Sequence, residues 1–437
     1  MSQSIAQRTE RTRWFSDARF GMFIHWGLYS IPARGEWVRS VEHMPHEDYM
    51  RYFNEFTAGE YDPREWAALA KKAGMKYAVL TAKHHDGFCL WDTSCTDFKS
   101  TNTPAKRDLV REFLDAFREA GIKVGLYFSI IDWRHPDFPH YGDRQHPLRD
   151  DPSQSNENRN FDRYLEFMHS QIRELLTGYG KLDIMWFDFS YGEMRGEKWK
   201  AGEIVKMIRS LQPHLVIDNR LEGSGADNPG SIFSADPAPS AGDFASPEQM
   251  IPPGGMCNVQ GESVPWEACI TLNNHWGYCA ADHHWKDPQM VVRMLTECVS
   301  KNGNLLLNVG PDAKGRIPRA SVEILEEVGR WMSDNGGSIY GCGISEFPRP
   351  EWGRFTQKGK LLYAHIYESQ AGGLCLPGMA GKIEKLRLLA DSSEIKLVNH
   401  WNLQQYPEHA FFFLNPGTAD NYPLPDPVDT VVEITMK

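Results

Sequence analysis

The sequence predicts an α/β fold: a TIM-like (β/α) barrel of seven or eight units over residues 1–342, followed by a C-terminal all-β sandwich over 343–437. Two observations carry the barrel. Short apolar runs alternate with amphipathic helical stretches, and polar residues recur just past the ends of those runs. A third carries the second domain: beyond Gly343 the segments become short and alternating, separated by Gly, Pro or Asp, with no helical period between them. A chain of 437 residues has room for both. A doubly wound sheet is the competing arrangement, but neither a G-x-G-x-x-G nor a P-loop follows any strand, so its nucleotide-binding version lacks a signature.

In chain order, the first strand is expected at 19–27, an apolar run closed by His25. Helices follow at 47–53 and 63–73, the second with Pro63 at its start and Gly74 after its end. A strand at 76–83 runs into His84-His85-Asp86-Gly87, a helix at 108–120 is stopped by Gly121, and the third strand is 123–129. The polar, His- and Pro-rich stretch 132–160 is too long for an ordinary connection and reads as a site loop. After a helix at 161–176 comes Leu182-Asp183-Ile184-Met185-Trp186-Phe187-Asp188-Phe189, an apolar run suited to a strand buried on both faces. Alternation puts Ile184, Trp186 and Asp188 on one of those faces. A helix at 197–211, a strand at 215–220 and a Gly/Pro/Ser-rich loop at 221–265 precede strands at 266–272 and 303–310, with helices at 288–300 and 320–333. The sandwich strands are expected at 361–368, 382–389, 394–399, 410–414 and 430–436.

Composition narrows the function. With 47 Lys+Arg against 58 Asp+Glu the formal charge is −11, and no basic patch interleaved with aromatics stands out, so nucleic acid is not the expected partner. Aromatics make up 12% of the chain, including 14 Trp, many at loops and strand ends, where they suit the apolar C–H faces of carbohydrate as well as core packing. The eight cysteines show no C-x-x-C and no framework, which suits free thiols in a reducing compartment. Residues 1–13 hold no apolar core of a signal peptide and no run of 18 apolar residues occurs, so a cytoplasmic protein without a membrane span is expected. Assembly into a homo-oligomer is left open.

Polar groups end several strands: His25, His84, His85, Tyr127, Asp188 and Arg220. In a barrel the C-terminal strand ends build the active site, although an Asp there also serves as a turn or helix cap. Metal ligation fits poorly, because neighbours on a strand point to opposite faces and no H-x-H, H-x-x-H or H-E-x-x-H occurs. Asp282-His283-His284 has the same defect, and Gly223-Ser224-Gly225 is no nucleophile elbow. A carboxylate pair among histidines, aromatics and an arginine remains, the equipment of glycoside hydrolysis.

Four motifs in order make this specific: Arg19-Phe20-Gly21-Met22-Phe23-Ile24-His25-Trp26-Gly27, Lys83-His84-His85-Asp86-Gly87-Phe88, Trp186-Phe187-Asp188 and Leu306-Leu307-Asn308-Val309-Gly310-Pro311. Together they resemble the family-29 glycoside hydrolases, the α-L-fucosidases. The resemblance implies a retaining exo-α-L-fucosidase acting on fucosylated oligosaccharides or glycoconjugates; no cofactor and no metal are expected. It makes Asp188 the nucleophile and Glu248, in Ser246-Pro247-Glu248, the acid/base, with Glu267 of Trp266-Glu267 as rival. The fucose-holding set it implies is His25, Glu36, Trp37, His84, His85, Tyr127, Trp186, Arg220 and Trp276, the last against the C6 methyl. Arg220 and histidine hydrogen bonds are expected to keep Asp188 ionised. If both His84 and His85 reach the sugar, their strand must end irregularly. One departure stands out: the family often has Gly directly after its nucleophile, and this chain has Phe189, so the loop beyond is expected to differ where the leaving group binds. Transfucosidase action, restriction to α-1,3/1,4 linkages and non-catalytic fucose binding are the alternatives.

Overall fold

The computed structural model describes residues 5–140, 143–223, 230–399, 401, 403–415 and 420–437. Its centre is a seven-stranded parallel sheet of β1 (Phe20–Ile24), β2 (Tyr77–Lys83), β3 (Lys123–Ser129), β4 (Ile184–Asp188), β5 (Val216–Ile217), β6 (Trp266–Thr271) and β7 (Gly303–Val309), in the order β5-β4-β3-β2-β1-β7-β6. The principal helices flanking it are α3 (His46–Glu55), α4 (Pro63–Lys72), α5 (Leu109–Glu119), α6 (Phe161–Gly178), α7 (Ala201–Leu211), α8 (Pro288–Val299) and α9 (Arg319–Asn335), with α2 (Val38–Val41) a single turn. Their starts are chemically marked: the side chains of Asp62, Asp108, Asn160 and Asp287 accept from first-turn N–H groups of α4, α5, α6 and α8.

The expected closed barrel is only partly realised, since no ladder joins β5 to β6. Instead the segment 243–249 threads the gap, making isolated parallel bridges Asp218↔Phe244, Ala245↔Trp266 and Glu248↔Cys269. Two residues keep it from becoming a regular strand. Pro247 has no N–H to donate, and Gly242 turns at φ 75° where a Cβ would lie 2.0 Å from the Asp218 carbonyl oxygen. The sheet curls around its own inner face, where Phe23, Val79, Tyr127, Ile184, Trp186, Val216, Phe244 and Leu306 pack together. Ile184 and Trp186 face this interior while Met185 and Phe187 face the helices, as the alternation requires.

A helix not expected from the sequence, α1 (Ile5–Ala18), covers the N-terminal strand ends. Its buried stripe is Arg8, Thr12, Phe15 and Ala18, half of it polar, so hydropathy alone does not reveal it. Phe15 reaches Tyr77 and Phe244 in the sheet interior, at ring-centroid distances of 5.6 and 4.6 Å. β5 is also shorter than expected, because Asp218, Asn219 and Arg220 spend their side chains on neighbours; Asp218 Oδ1 accepts from the Phe187 N–H at 3.0 Å.

The C-terminal strands are β8 (Gly353–Lys358), β9 (Leu361–Ile366), β10 (Leu374–Leu376), β11 (Ile383–Leu388), β12 (Glu394–Ile395), β13 (Ala410–Phe412) and β14 (Thr430–Met436). They form an antiparallel sheet, β12-β11-β14-β9-β8, and a separate β10-β13 pair, enclosing Leu362, Ile366, Leu374, Leu376, Phe412 and Val432. β8 and β10 were not expected. The first carries Arg354, Thr356, Gln357 and Lys358, and the second is three residues long, so neither has an apolar run to announce it. Trp331 Nε1 of α9 donates to the Asp429 carbonyl at 2.9 Å and ties this region to the helices.

Candidate active site

The C-terminal strand ends deliver the predicted residues to one cleft. His25, Trp37, His84, His85, Tyr127, Trp186, Asp188, Arg220, Glu248 and Trp276 all line it, together with Phe23, Phe189 and Cys269. The register of β2 shifts between Thr81 and Lys83, which is the irregular strand end that lets adjacent His84 and His85 both face inward. Glu36 is the exception. It is buried and its Oε2 accepts from the Gly277 N–H at 2.8 Å, so it anchors the turn carrying Trp276 and lies outside the cleft lining.

Asp188 ends β4 with both oxygens engaged. Oδ1 accepts from Arg220 Nη1 at 2.9 Å and Oδ2 from the Tyr127 hydroxyl at 2.8 Å. The expected histidine hydrogen bond is absent: His85 Nε2 stands 3.9 Å from Oδ2, beyond bonding reach. Burial holds the Tyr127 hydroxyl well above its ordinary range, so it keeps its proton to donate. Arg220 is fixed on every side. Nε donates to Ser246 Oγ at 3.0 Å, Nη2 to the Ser246 carbonyl at 3.1 Å, and the guanidinium lies 4.5 Å over the Trp186 ring.

Nη1 of the same arginine is 2.9 Å from Glu248 Oε2. The nearer oxygens of Asp188 and Glu248 therefore lie no more than twice 2.9 Å apart, which is compatible with the roughly 5–5.5 Å carboxyl separation of a retaining glycosidase. The loop from β5 to β6 does not leave Glu248 loose. Its neighbours are pinned to β6, where Cys269 N donates to the Pro247 carbonyl at 3.1 Å and Gln249 N to the Cys269 carbonyl at 2.9 Å.

The imidazoles are uncharged. Burial lowers His25 and His85 to about 3 and His84 well below its ordinary value, so all three are neutral. Their tautomers follow from their partners. The Ser129 hydroxyl donates to the Ile131 carbonyl at 2.8 Å, so it accepts from His85 Nδ1 at 2.7 Å, leaving His85 Nε2 as an acceptor. The Asn308 amide N–H donates to the Trp276 carbonyl at 2.7 Å, so its oxygen accepts from His25 Nδ1–H at 2.6 Å, and Nε2 is again an acceptor. His84 Nδ1 is buried without a partner among the described residues.

Glu267, the rival acid, does not reach the cleft. It is fully buried beneath it, accepting from the Tyr77 hydroxyl and, at 3.2 Å, from Trp186 Nε1. Burial raises it to about 8, so it is a neutral carboxylic acid supporting the floor. Sequence reasoning missed Ser129, Ser246 and Asn308, which orient His85, Arg220 and His25. Ser246 and Asn308 each left a signal, the first beside Pro247-Glu248 and the second as a polar residue in the run 305–309. Ser224 lies outside the described residues. Among the described residues, no three His, Cys, Asp or Glu side chains group closely enough to hold a metal ion and no helix is long and apolar enough to cross a membrane.

The site therefore combines two carboxylates at close range, neutral imidazole acceptors and aromatic walls. Comparison with known proteins points the same way. The family model "Alpha-L-fucosidase" matches residues 2–337. The chain is similar to the structure of α-L-fucosidase isoenzyme 1 from Paenibacillus thiaminolyticus, with 58% identity over 99% of this chain and 100% of that one and a TM-score of 0.94. It is also similar to a trapped covalent intermediate of a GH29 α-L-fucosidase from Bacteroides thetaiotaomicron, 27% identical over 100% and 98% of the two chains, TM-score 0.83. Human tissue α-L-fucosidase is 29% identical over 80% of this chain and 74% of its own length. The chain belongs to the α-L-fucosidase family and is a glycoside hydrolase.

Proposed function

We propose that the protein removes single terminal α-L-fucosyl residues from oligosaccharides or glycoconjugates by double displacement, with retention at the anomeric carbon. The observation that carries this reading is the placement of Asp188 and Glu248 on one guanidinium nitrogen. In the first step an Asp188 oxygen bonds to C1 of fucose while the C1–O bond breaks, and Glu248 gives its proton to the departing oxygen. In the second, Glu248 takes a proton from water, whose oxygen bonds to C1 and releases Asp188. For its acid role Glu248 exchanges the Arg220 contact for the glycosidic oxygen, and its side chain, 44% exposed, has room to do so.

The other residues hold the sugar. The acceptor nitrogens of His25 and His85 suit hydroxyl protons, and Trp37, Trp186 and Trp276 offer faces to its C–H and methyl groups. His25, His84, His85, Tyr127 and Trp186 are each at most 5% exposed, so the inner end is walled off and fits one terminal residue rather than a chain passing through. Proton NMR of the first product tests the stereochemistry. α-L-Fucose appearing before mutarotation is expected, and β-L-fucose as the first anomer would overturn the mechanism.

A further inference from the structure

The cleft has an outer neighbour. Asp188, Phe189, Arg220 and Glu248 line both the cleft and a second cavity of about 510 Å³, a volume in the range of small-molecule sites, ~300–1,000 Å³. Its further walls are mixed: the aromatic and thioether side chains of Tyr191, Phe233, Met250 and Met256 stand beside polar Ser190, Asn219 and Ser246, with the Arg144 guanidinium 4.7 Å over the Tyr191 ring. Resting on the fucosidase reading above, we infer that this cavity receives the leaving group and that Phe189 is its specificity-determining residue, meeting the ring of the sugar to which fucose is attached.

Three observations converge on this. The outer cavity starts at Asp188 and Glu248, the two carboxylates between which the fucosidase reading puts the bond to be cleaved, so the departing group has that volume to occupy. The aromatic and thioether part of the wall suits the C–H face of a pyranose, and its polar part suits the hydroxyls around that ring. Phe189 itself is held at φ 95°, a left-handed conformation that favours glycine and that a bulky residue rarely adopts. Its ring is wedged against His85 at 4.7 Å, Tyr191 at 5.0 Å and Trp37 at 5.6 Å, so the backbone keeps this conformation with an aromatic group at the boundary of the two cavities.

The test compares α-L-fucosyl fluoride, whose leaving group fills almost none of the outer cavity, with an α-L-fucosyl disaccharide. Phe189→Gly fits the backbone conformation and removes the ring; its kcat/KM on the disaccharide is expected to fall about tenfold more than on the fluoride. Met250→Ala, at a residue 49% exposed where truncation spares the fold, should give a smaller differential of the same sign. Equal proportional losses on both substrates in both variants would overturn the leaving-group assignment while leaving the fucosidase reading intact. Wild-type enzyme that hydrolyses neither substrate would overturn that reading and this inference with it.

Discussion

Oδ1 of Asp188 and Oε2 of Glu248 each lie 2.9 Å from a single atom, Nη1 of Arg220. The shared cation places two carboxylates closer than like charges would otherwise settle, and it leaves Glu248, the more exposed, free to trade its contact for substrate. Glu248→Ala should therefore slow cleavage according to how much the leaving group needs a proton. We expect a loss of about 10²–10⁴-fold in kcat/KM for a fucosyl disaccharide, and a much smaller one for the 2,4-dinitrophenyl fucoside, whose phenolate departs unprotonated. Equal losses on the two substrates would remove Glu248 from the acid role.

Tyr127 gives Asp188 its second hydrogen bond, at 2.8 Å on the oxygen that Arg220 does not touch. Tyr127→Phe keeps the ring that stacks on Trp186 and deletes only the donor. A hydrogen bond to a charged group is worth ~1.5–3 kcal/mol, so kcat/KM should fall about ten- to a hundredfold with the melting temperature little changed. A large drop in melting temperature would instead make the Tyr127 hydroxyl a structural group whose bond to Asp188 holds the fold.

Glu267 predicts a pH effect on stability. In the folded protein burial raises it to about 8, whereas in the unfolded chain it ionises near its ordinary value of about 4.3. Between those values the folded state holds a proton that the unfolded state has released. Stability from this group is thus complete below about pH 4, declines as pH rises through the window, and levels off above about 8. Glu267→Gln, which does not titrate and can still pair with Tyr77 and Trp186, should gain on wild type from pH 5 to pH 8 by an amount on the order of a few degrees in Tm, then run parallel. A pH-independent difference between the two proteins would show that Glu267 is buried as a carboxylate.

His25 and His85, lowered to about 3, stay neutral through the working range. The acid limb of the pH–rate profile should therefore persist in His25→Asn and His85→Asn with its midpoint unmoved, while kcat/KM falls about ten- to a hundredfold for each lost hydroxyl partner. A midpoint displaced by a full unit in either variant would mean that an imidazole titrates during turnover.

The parallel strands were legible because strands buried on both faces must be apolar, and the polar residues that interrupt them, from His25 to Asp188, stand out for that reason. What escaped was whatever depends on partners distant in sequence. α1 was hidden by its half-polar buried stripe, and the gap between β5 and β6 could not be read from 243–249, whose bridges are isolated. The lining residues were recognisable as a set, but their tasks were not. Tyr127 donates to Asp188, where histidine was expected, and Glu36 braces the turn of Trp276. Glu267 looked like a second acid until its position under the floor gave it Tyr77 and Trp186 as partners. Phe189 shows the reverse case, a departure visible in the sequence whose meaning came only from its φ of 95°.

Chemical rescue of Asp188→Gly probes the nucleophile most directly. The variant should lose nearly all turnover of an activated α-L-fucoside, and added azide should restore it by entering the space of the missing carboxylate to give β-L-fucosyl azide. Undiminished hydrolysis by Asp188→Gly, or rescue that yields the α-azide, would contradict the assignment of Asp188 as the group that attacks C1.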